Sequence, residues 1–382
     1  MKVVMIVSNP LRPERPDPRV YREGQALLEA GHEVSVIAWD RLAEFRREEE
    51  LSGLHVHRIQ VRAQYGSGTG LIRPLRKFWR EARKLVGSLD WDVIHCHDLD
   101  TLPVGYQIAH RQDKPVIFDA HESYPDFIAP RVPAIVTLGV SFMERYYVRR
   151  VSAVITVGET LAEKYRRIGA KIVEVVGNWH DPDTLALSPE RIAAIRNKLG
   201  AQGLFVVYVG GFGANRALLE LVEAVCSVGG VFLVLAGDGQ QRPEIERAIT
   251  GCSRIRYLGV IPYNRALELK GAADVVYRVA RVEQTPNAQY SAPNNLFEAL
   301  AGGTAVIASD NGDMGRIVRE EGCGIVLNRV TANQIAEALQ ALQDLDVLNR
   351  MKRNGLRAAE RRYNWTEATA RLTGLYERVV NS

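Results

Sequence analysis

The stretch Ser291–Ser309, SAPNNLFEALAGGTAVIAS, decides the reading of this chain. It passes from a Pro-Asn-Asn step into a short helical pattern, stops at Gly302-Gly303 and runs at once into the apolar strand Ala305–Ala308. Proline suits a helix start because its missing N–H would be unpaired there in any case. The first turn of such a helix exposes unpaired backbone N–H groups at the positive end of the dipole, which favours a phosphate. One turn further in stands Glu298, whose carboxylate is able to accept hydrogen bonds from a pair of ribose hydroxyls. The stretch therefore predicts a nucleotide-diphosphate site over Asn294, Asn295, Leu296 and Glu298.

Working outward, strand-like runs alternate with helical patterns almost throughout, the signature of doubly wound parallel α/β units. Strands are predicted at Val3–Val7, Val34–Trp39, Val56–Ile59, Val93–Cys96, Val116–Asp119, Ala153–Val157 and Ile172–Val176. The turn-rich Gly177–Pro182 then suits a hinge. A second set follows at Phe205–Val209, Val231–Ala236, Ile255–Leu258, Val275–Tyr277, Ala305–Ala308 and Gly324–Leu327, and helices complete the chain. All eight histidines lie at or before His180, so the two halves carry different chemistry.

Composition narrows the class. A chain of 382 residues predicts two or three domains. With 49 basic and 45 acidic residues the net charge is only +4, too even for a nucleic-acid binder. Cys96, Cys226, Cys252 and Cys323 form no CxxC pair and are expected as buried thiols of a reducing compartment. The opening MKVVMIVSNP is too short for a signal peptide and fits a first strand. No run is long enough to span a membrane. The expected location is cytoplasmic, peripheral at the inner face of the membrane if the chain meets lipid.

Several motifs lie where strands are predicted to end, the edge at which open α/β sheets bind ligands. Gly210-Gly211-Phe212-Gly213 follows one strand, with a helix expected near Asn215-Arg216. A guanidinium there is always charged and binds phosphate through paired hydrogen bonds. Ala236-Gly237-Asp238-Gly239 follows the next strand and suits either a ligand or close packing. In the first half, His95-Cys96-His97-Asp98 and Asp119-Ala120-His121-Glu122 end two further strands. His95 and His97 share a strand face only if the strand runs through both, and no metal is expected at them. Asp17-Pro18 is an N-cap and first-turn pair, which places Arg19 and Arg22 on a helix expected to be solvated or to meet an anionic acceptor. Leu71–Leu89 interleaves six cations with Leu75, Phe78, Trp79 and Leu85. It reads as a basic amphipathic helix able to rest on anionic lipid, or to pack its apolar face inward.

Together these motifs resemble the retaining family-four glycosyltransferases of GT-B fold, the group 1 glycosyltransferases. The matching helix of that family often reads Pro-Asn-Lys-Leu-Phe-Glu, so Asn295 stands where lysine is frequent. A basic residue in the place of Arg216 contacts the donor pyrophosphate there and is usually followed by glycine; here Ala217 follows. Many members carry two glutamates eight residues apart; Glu298 matches the second, and Tyr290 occupies the first position. Asp17-Pro18-Arg19-Val20 resembles a motif at the mouth of the acceptor cleft. Asp119-Ala120-His121-Glu122 resembles a segment whose histidine faces the donor sugar.

The resemblance implies an α/β, GT-B architecture of two Rossmann-like doubly wound domains facing across a cleft. Residues 1–177 would form the acceptor side, 178–362 the nucleotide-sugar side, and 363–382 a helix crossing back. It implies retaining, metal-independent transfer of a sugar from a nucleotide-diphosphate sugar to a glycan, lipid-linked or small-molecule acceptor, with no cofactor beyond the donor. His121, Arg216 and Glu298 would be catalytic. Gly211, Phe212, Asn294, Asn295, Leu296 and Tyr290 would join Arg216 and Glu298 in holding the donor, and Asp17, Arg19, His97 and Asp98 would line the acceptor side. The expected partners are donor, acceptor and an anionic membrane surface met through residues 71–89. A nucleotide-sugar epimerase of the same fold, or a catalytically silent donor-binding subunit, is the alternative that Tyr290 keeps open.

Overall fold

The computed structural model describes residues 1–14, 17–64, 68–281, 286–290 and 292–380. Ser291, which opens the stretch read first above, lies outside the described residues. The chain divides into two compact units, 1–177 with 368–382, and 178–367. The sequence placed its boundaries after residues 177 and 362.

The first unit opens with β1 (Lys2–Val7), α1 (Pro18–Glu29), β2 (Glu33–Trp39), β3 (Glu48–Leu51), β4 (Leu54–Ile59) and α2 (Ile72–Val86). It continues through β5 (Val93–His97), α3 (Leu102–His110), β6 (Val116–Ala120), α4 (Tyr124–Ile128), α5 (Ala134–Val148), β7 (Ala153–Thr156), α6 (Glu159–Ile168) and β8 (Val173–Val175). The eight strands run in the order β3-β4-β2-β1-β5-β6-β7-β8, and only β3 pairs antiparallel. β1 reads as an unbroken apolar run because helices cover both sheet faces, as buried parallel strands require. Strand β3, EEEL, was not expected. It is an edge strand paired on one side only, where charge discourages further pairing.

The second unit contains α7 (Pro189–Leu199), β9 (Leu204–Val209), α8 (Leu218–Ser227), β10 (Val231–Ala236), α9 (Arg242–Ala248), β11 (Ile255–Tyr257) and α10 (Tyr263–Ala272). Then come β12 (Val275–Arg278), α11 (Asn294–Ala301), β13 (Ala305–Ser309), α12 (Gly312–Glu321), β14 (Gly324–Leu327), α13 (Ala332–Ala341) and α14 (Leu345–Arg361). Its six parallel strands run β11-β10-β9-β12-β13-β14. The last helix, α15 (Trp365–Val380), belongs from Ala368 onward to the first unit.

In each sheet the strand order reverses at one place, between β1 and β5 and between β9 and β12. The loops diverging there leave a crevice at the strand C-terminal edge, where doubly wound sheets bind ligands. The motifs ending in Asp98, His121, Gly211 and Arg278 all sit on that edge of their own sheet.

Two expectations need correcting. Cys96 and Cys323 are buried, but Cys226 is exposed and Cys252 half-exposed, because both lie at the outer rim of the second unit's core. In α2 the apolar face turns inward: Phe78 is fully buried and stacks on Trp39 at 4.9 Å, and Trp79 Nε1 donates to Asp100 O at 2.8 Å. The face of α2 turned to water carries its cations and Ile72, so Phe78 and Trp79 are not available to lipid. No helix among the described residues is long and apolar enough to cross a membrane.

Candidate active site

In the first unit, β5 runs through both histidines, so His95 and His97 share a face and their rings stack at 4.3 Å. Asp119, on the neighbouring strand β6, is the centre of the cluster. Arg19 Nε donates to Asp119 Oδ2 and Arg19 Nη2 to Asp119 Oδ1, both at 2.7 Å, and Arg19 Nη1 donates to Val176 O at 2.8 Å. Burial alone would raise the Asp119 pKa, but Arg19 and then His121 outweigh it and hold the carboxyl well below its ordinary value. Arg19 Nη2 also lies 3.0 Å from Glu23 Oε1. Burial, only partly offset by Arg19, pushes the Glu23 carboxyl up to about 8.

His121 Nε2 lies 3.0 Å from Asp119 Oδ2, and its Nδ1 lies 3.4 Å from Asp98 Oδ2. Burial disfavours the imidazolium, yet Asp98 and Asp119 together outweigh this and raise its pKa to about 10. His121 is therefore a cation held between two carboxylates. Its ring remains partly exposed, and so does Asp98, whose backbone takes a left-handed φ of 63°. Beside them His97 Nδ1 meets Asp119 Oδ2 at 3.1 Å, and burial lowers its pKa. His95 Nδ1 meets Tyr376 Oη of α15 at 2.7 Å.

The expected acceptor-side residues thus divide. Asp98 reaches the surface of the strand edge, whereas Arg19 and His97 are buried beneath it. Arg19 is neither solvated nor open to an anionic acceptor, because the buried Asp119 carboxylate engages its guanidinium. Asp17 caps α1, with Oδ1 accepting from Arg19 N at 3.1 Å and Val20 N at 3.3 Å, and Oδ2 accepting from Asn9 Nδ2 at 3.1 Å. Glu23, His95, His97 and Asp119 each place one ligand-type atom within 4.8 Å of the others. A metal ion there would meet the fixed guanidinium of Arg19, which already occupies both oxygens of Asp119. The cluster balances its charge from within.

In the second unit, the loop after β9 carries Gly211, exposed, and Phe212, buried. Tyr208 Oη donates to Gly211 O at 2.6 Å. A short 3-10 turn, Ala214–Arg216, comes before α8, and Ala217 between them has φ 52°. Arg216 accordingly lies just ahead of the α-helix, not in its first turn. The left-handed site explains why glycine suits the position after the basic residue: an L-residue there costs about 1–2 kcal/mol. Gly237 serves packing, since a Cβ on it would stand 1.8 Å from Gly210 O.

Arg278 ends β12 at the switch point and was not singled out from sequence. Among the described residues neither Arg216 nor Arg278 has a carboxylate partner. Burial first, and then the charge of Arg216, lowers the Arg278 pKa to about 10. Two guanidinium groups that repel one another, with no carboxylate partner among the described residues, have the chemistry to hold an anion. Helix α11 begins after Pro293, with Asn294 exposed and Leu296 buried. Asn295 turns inward instead, its Nδ2 donating to Val209 O at 2.9 Å and its Oδ1 accepting from Lys270 Nζ at 2.8 Å.

Glu298 is only 2% exposed and is already engaged. Lys270 Nζ donates to its Oε2, and Tyr263 Oη donates to its Oε1 at 2.9 Å. Neither partner was expected from sequence, because Lys270 occupies an inward position of α10 that an apolar residue would ordinarily fill. Tyr290 is half-buried at the end of the 3-10 turn Pro286–Tyr290, eight positions before Glu298.

Comparison with known proteins agrees with this geometry. Residues 16–179 match the glycosyl transferase 4-like domain, and residues 203–344 match the glycosyl transferases group 1 domain. The chain is 24% identical to a phosphatidyl-myo-inositol mannosyltransferase of Mycolicibacterium smegmatis, over 94% of this chain and 89% of that protein. It is likewise 24% identical to an uncharacterised glycosyltransferase of Methanocaldococcus jannaschii, over 92% and 91%. Its fold is similar to that of sucrose-phosphate synthase from Thermosynechococcus elongatus, with a TM-score of 0.82 at 19% identity over 100% and 99% of the two chains. It is also similar to that of Anabaena HepE in complex with UDP, with a TM-score of 0.74 at 16% identity over 99% and 100%. Two doubly wound units and family matches to both halves lead to one assignment: the chain belongs to the group 1 glycosyltransferases of GT-B fold, enzymes that use nucleotide sugars.

Proposed function

We propose that the protein transfers a sugar, with retention of anomeric configuration and without a metal ion, from a nucleotide-diphosphate sugar to a lipid-linked or glycan acceptor. The observation that carries this reading is the pair Arg216 and Arg278, two guanidinium groups with no carboxylate partner among the described residues, at the switch point of the second sheet. They would neutralise the diphosphate as it leaves, a charge-stabilising role that a metal ion fills elsewhere. The N–H groups of the first turn of α11 would add to it. Structures of similar fold hold UDP and UDP-glucose, which supports a nucleoside-diphosphate donor.

Glu298 would accept the ribose hydroxyls. Lys270 holds its carboxylate in place, and a ribose hydroxyl reaching Oε1 would take the place of Tyr263 Oη, whose ring is exposed. In the first unit His121 would donate Nδ1–H to a sugar hydroxyl in competition with the longer contact to Asp98. In a front-face transfer the leaving phosphate oxygen takes the acceptor proton, so no separate protein base is required.

The test is calorimetric titration of uridine, guanosine and adenosine diphosphates into wild type and Arg216→Ala, followed by turnover with the sugar nucleotide that binds. Equal affinity and equal turnover in the two proteins would overturn the assignment of Arg216. Product NMR decides retention from the anomeric coupling.

A further inference from the structure

Four of the eleven exposed large hydrophobic side chains among the described residues stand on one helix, α5. They are Ile135 at 74% exposure, Leu138 at 67%, Phe142 at 72% and Tyr146 at 42%. Their spacing of three, four and four residues puts them in a single stripe along the helix. Only Glu144 and Val148, both in its last turns, are buried, so the first half of α5 is held by no core side chain. A continuous apolar stripe on water is not ordinary surface chemistry and marks an interaction face.

Charge indicates what covers it. Between Phe127 and Arg150 the sequence holds four arginines, Arg131, Arg145, Arg149 and Arg150, and one acid, Glu144. That acid is buried, 2.9 Å from Lys164, and accepts from Tyr165 Oη at 3.0 Å. The exposed face is thus apolar along its middle and cationic at both ends. At its lower end the Arg150 guanidinium lies 3.7 Å over the Tyr146 ring and also lines a cavity of 670 Å³. Arg149, Lys114, Lys171 and His110 line the same cavity, against Asp113 as its one acid. It opens at the N-terminal ends of β6 and β7, the opposite edge of the sheet from Asp98 and His121.

We propose that the α5 stripe and this cationic cavity together form a docking surface for an anionic phospholipid bilayer, with the stripe entering the interface and the cavity taking a lipid phosphate. A second copy of this chain fits less well. An isologous contact through this face would set arginines against arginines, Arg145, Arg149 and Arg150 against themselves if the helices run parallel and Arg149 and Arg150 beside Arg131 if they run antiparallel. The sheet topology also supports lipid, since α2, α3 and α5 pack in sequence as one layer, so the outward cations of α2 lie in the same layer as the stripe. The roles divide between the two helices: α5 carries the apolar stripe, and α2, with Ile72 as its one exposed large apolar side chain, contributes mainly its cations. The upper end of the stripe follows directly from the β6 edge that carries His121, which would bring a lipid-borne acceptor to that edge.

The experiment is co-sedimentation with vesicles of phosphatidylcholine alone or mixed with phosphatidylglycerol, which needs no turnover and so is independent of the transferase reading. At about 100 mM salt, where surface charges are partly screened, wild type should bind the mixed vesicles and not the neutral ones. The exposed double variant Leu138→Ser/Phe142→Ser loses no core contact and should bind about tenfold more weakly, since two apolar side chains no longer enter the interface. Arg149→Gln/Lys171→Gln should lose the preference for phosphatidylglycerol. Neutralising Arg73, Arg76, Lys77 and Arg80 should weaken binding at low salt and leave it little changed at about 100 mM. Wild type that fails to bind mixed vesicles, or a double serine variant that binds as wild type does, overturns the proposal. So does a dimeric wild type in sedimentation velocity that the double serine variant renders monomeric, because a second copy then covers the stripe.

Discussion

Arg19 and Asp119, 100 residues apart in sequence, meet through two parallel hydrogen bonds of 2.7 Å beneath the strand edge that carries His121. The fork fixes both carboxylate oxygens, so Asp119 presents one defined lone-pair direction to His121 Nε2. A buried pair of this kind orients its neighbours more than it adds net stability, but breaking it leaves an uncompensated charge.

Replacing Arg19 by alanine should therefore destabilise the first unit by about 3–5 kcal/mol, the usual cost of orphaning a buried partner. Arg19→Lys keeps the charge and loses the fork, and its effect should fall between alanine and wild type. Urea denaturation followed by the tryptophans of the first unit, Trp39, Trp79 and Trp91, reads this out. Wild-type stability in both variants would show that the fork does not support the fold.

Alkaline pH should weaken the same cluster. His121 is raised from 6.5 to about 10, and Glu23 from 4.5 to about 8. Both then hold a proton in the native state that the unfolded chain has already released, so stability falls as pH rises. The contribution of Glu23 fades between 4.5 and about 8, and that of His121 between 6.5 and about 10. Asp119 acts in the opposite sense, with its depressed pKa giving stability that is lost only in acid. Calorimetric Tm should decline from pH 6.5 to 10, and His121→Gln should flatten the upper part of that decline.

Arg278→Gln should weaken nucleoside diphosphate binding by about 10- to 100-fold, as loss of charged hydrogen bonds worth roughly 1.5–3 kcal/mol predicts. Stability should hold or rise, because the substitution removes a half-buried cation that repels Arg216. A variant that binds nucleotide as wild type does would show Arg278 to be a bystander.

Glu298→Ala should act twice. It removes the ribose acceptor, and it leaves Lys270 buried without its counterion at about 3–5 kcal/mol. Glu298→Gln separates the two effects, since the amide keeps the shape and one accepting oxygen. Weaker nucleotide binding by a stably folded Glu298→Gln supports the ribose role. Unchanged affinity removes it.

Ala217→Gly should stabilise the second unit by up to about 1 kcal/mol, because Ala217 holds a left-handed φ of 52° that glycine adopts freely. Part of the gain is offset by the buried methyl that is lost. A lower Tm would mean that the packing of this methyl outweighs its strain.

Pattern in the sequence carried the architecture, because most of the parallel strands, such as Leu204–Val209 and Val231–Ala236, are apolar runs bounded by turn residues. The strand β3 escaped notice since EEEL at an edge has no apolar signature. The site was legible where backbone chemistry carries it, as in the glycine loop and the start of α11. It was not legible where distant side chains converge. Arg278 looks like the polar end of a strand, and its meaning depends on the charge of Arg216 near it, with no carboxylate partner to either among the described residues. Lys270 and Tyr263 reach Glu298 from another helix, and no local spacing announces that. Arg19 misled for the converse reason, since a helix-start arginine looks solvated until Asp119 arrives from β6 to bury it. Amphipathicity misled in α2 as well, because a basic helix shows its apolar residues without saying whether core or lipid receives them.

The return of α15 to the first unit has a consequence for biosynthesis. His95 meets Tyr376 across 281 residues of chain. On the ribosome, residues 178–367 form a contiguous stretch that can close as soon as it emerges, whereas the unit begun at Met1 waits for the last residues to be made. Until then the groove for α15 exposes His95 and the apolar seats of Leu372, Leu375 and Val379. A nascent chain of this protein thus keeps its oldest part unfinished longest, and a premature stop after Glu367 damages the unit that was synthesised first.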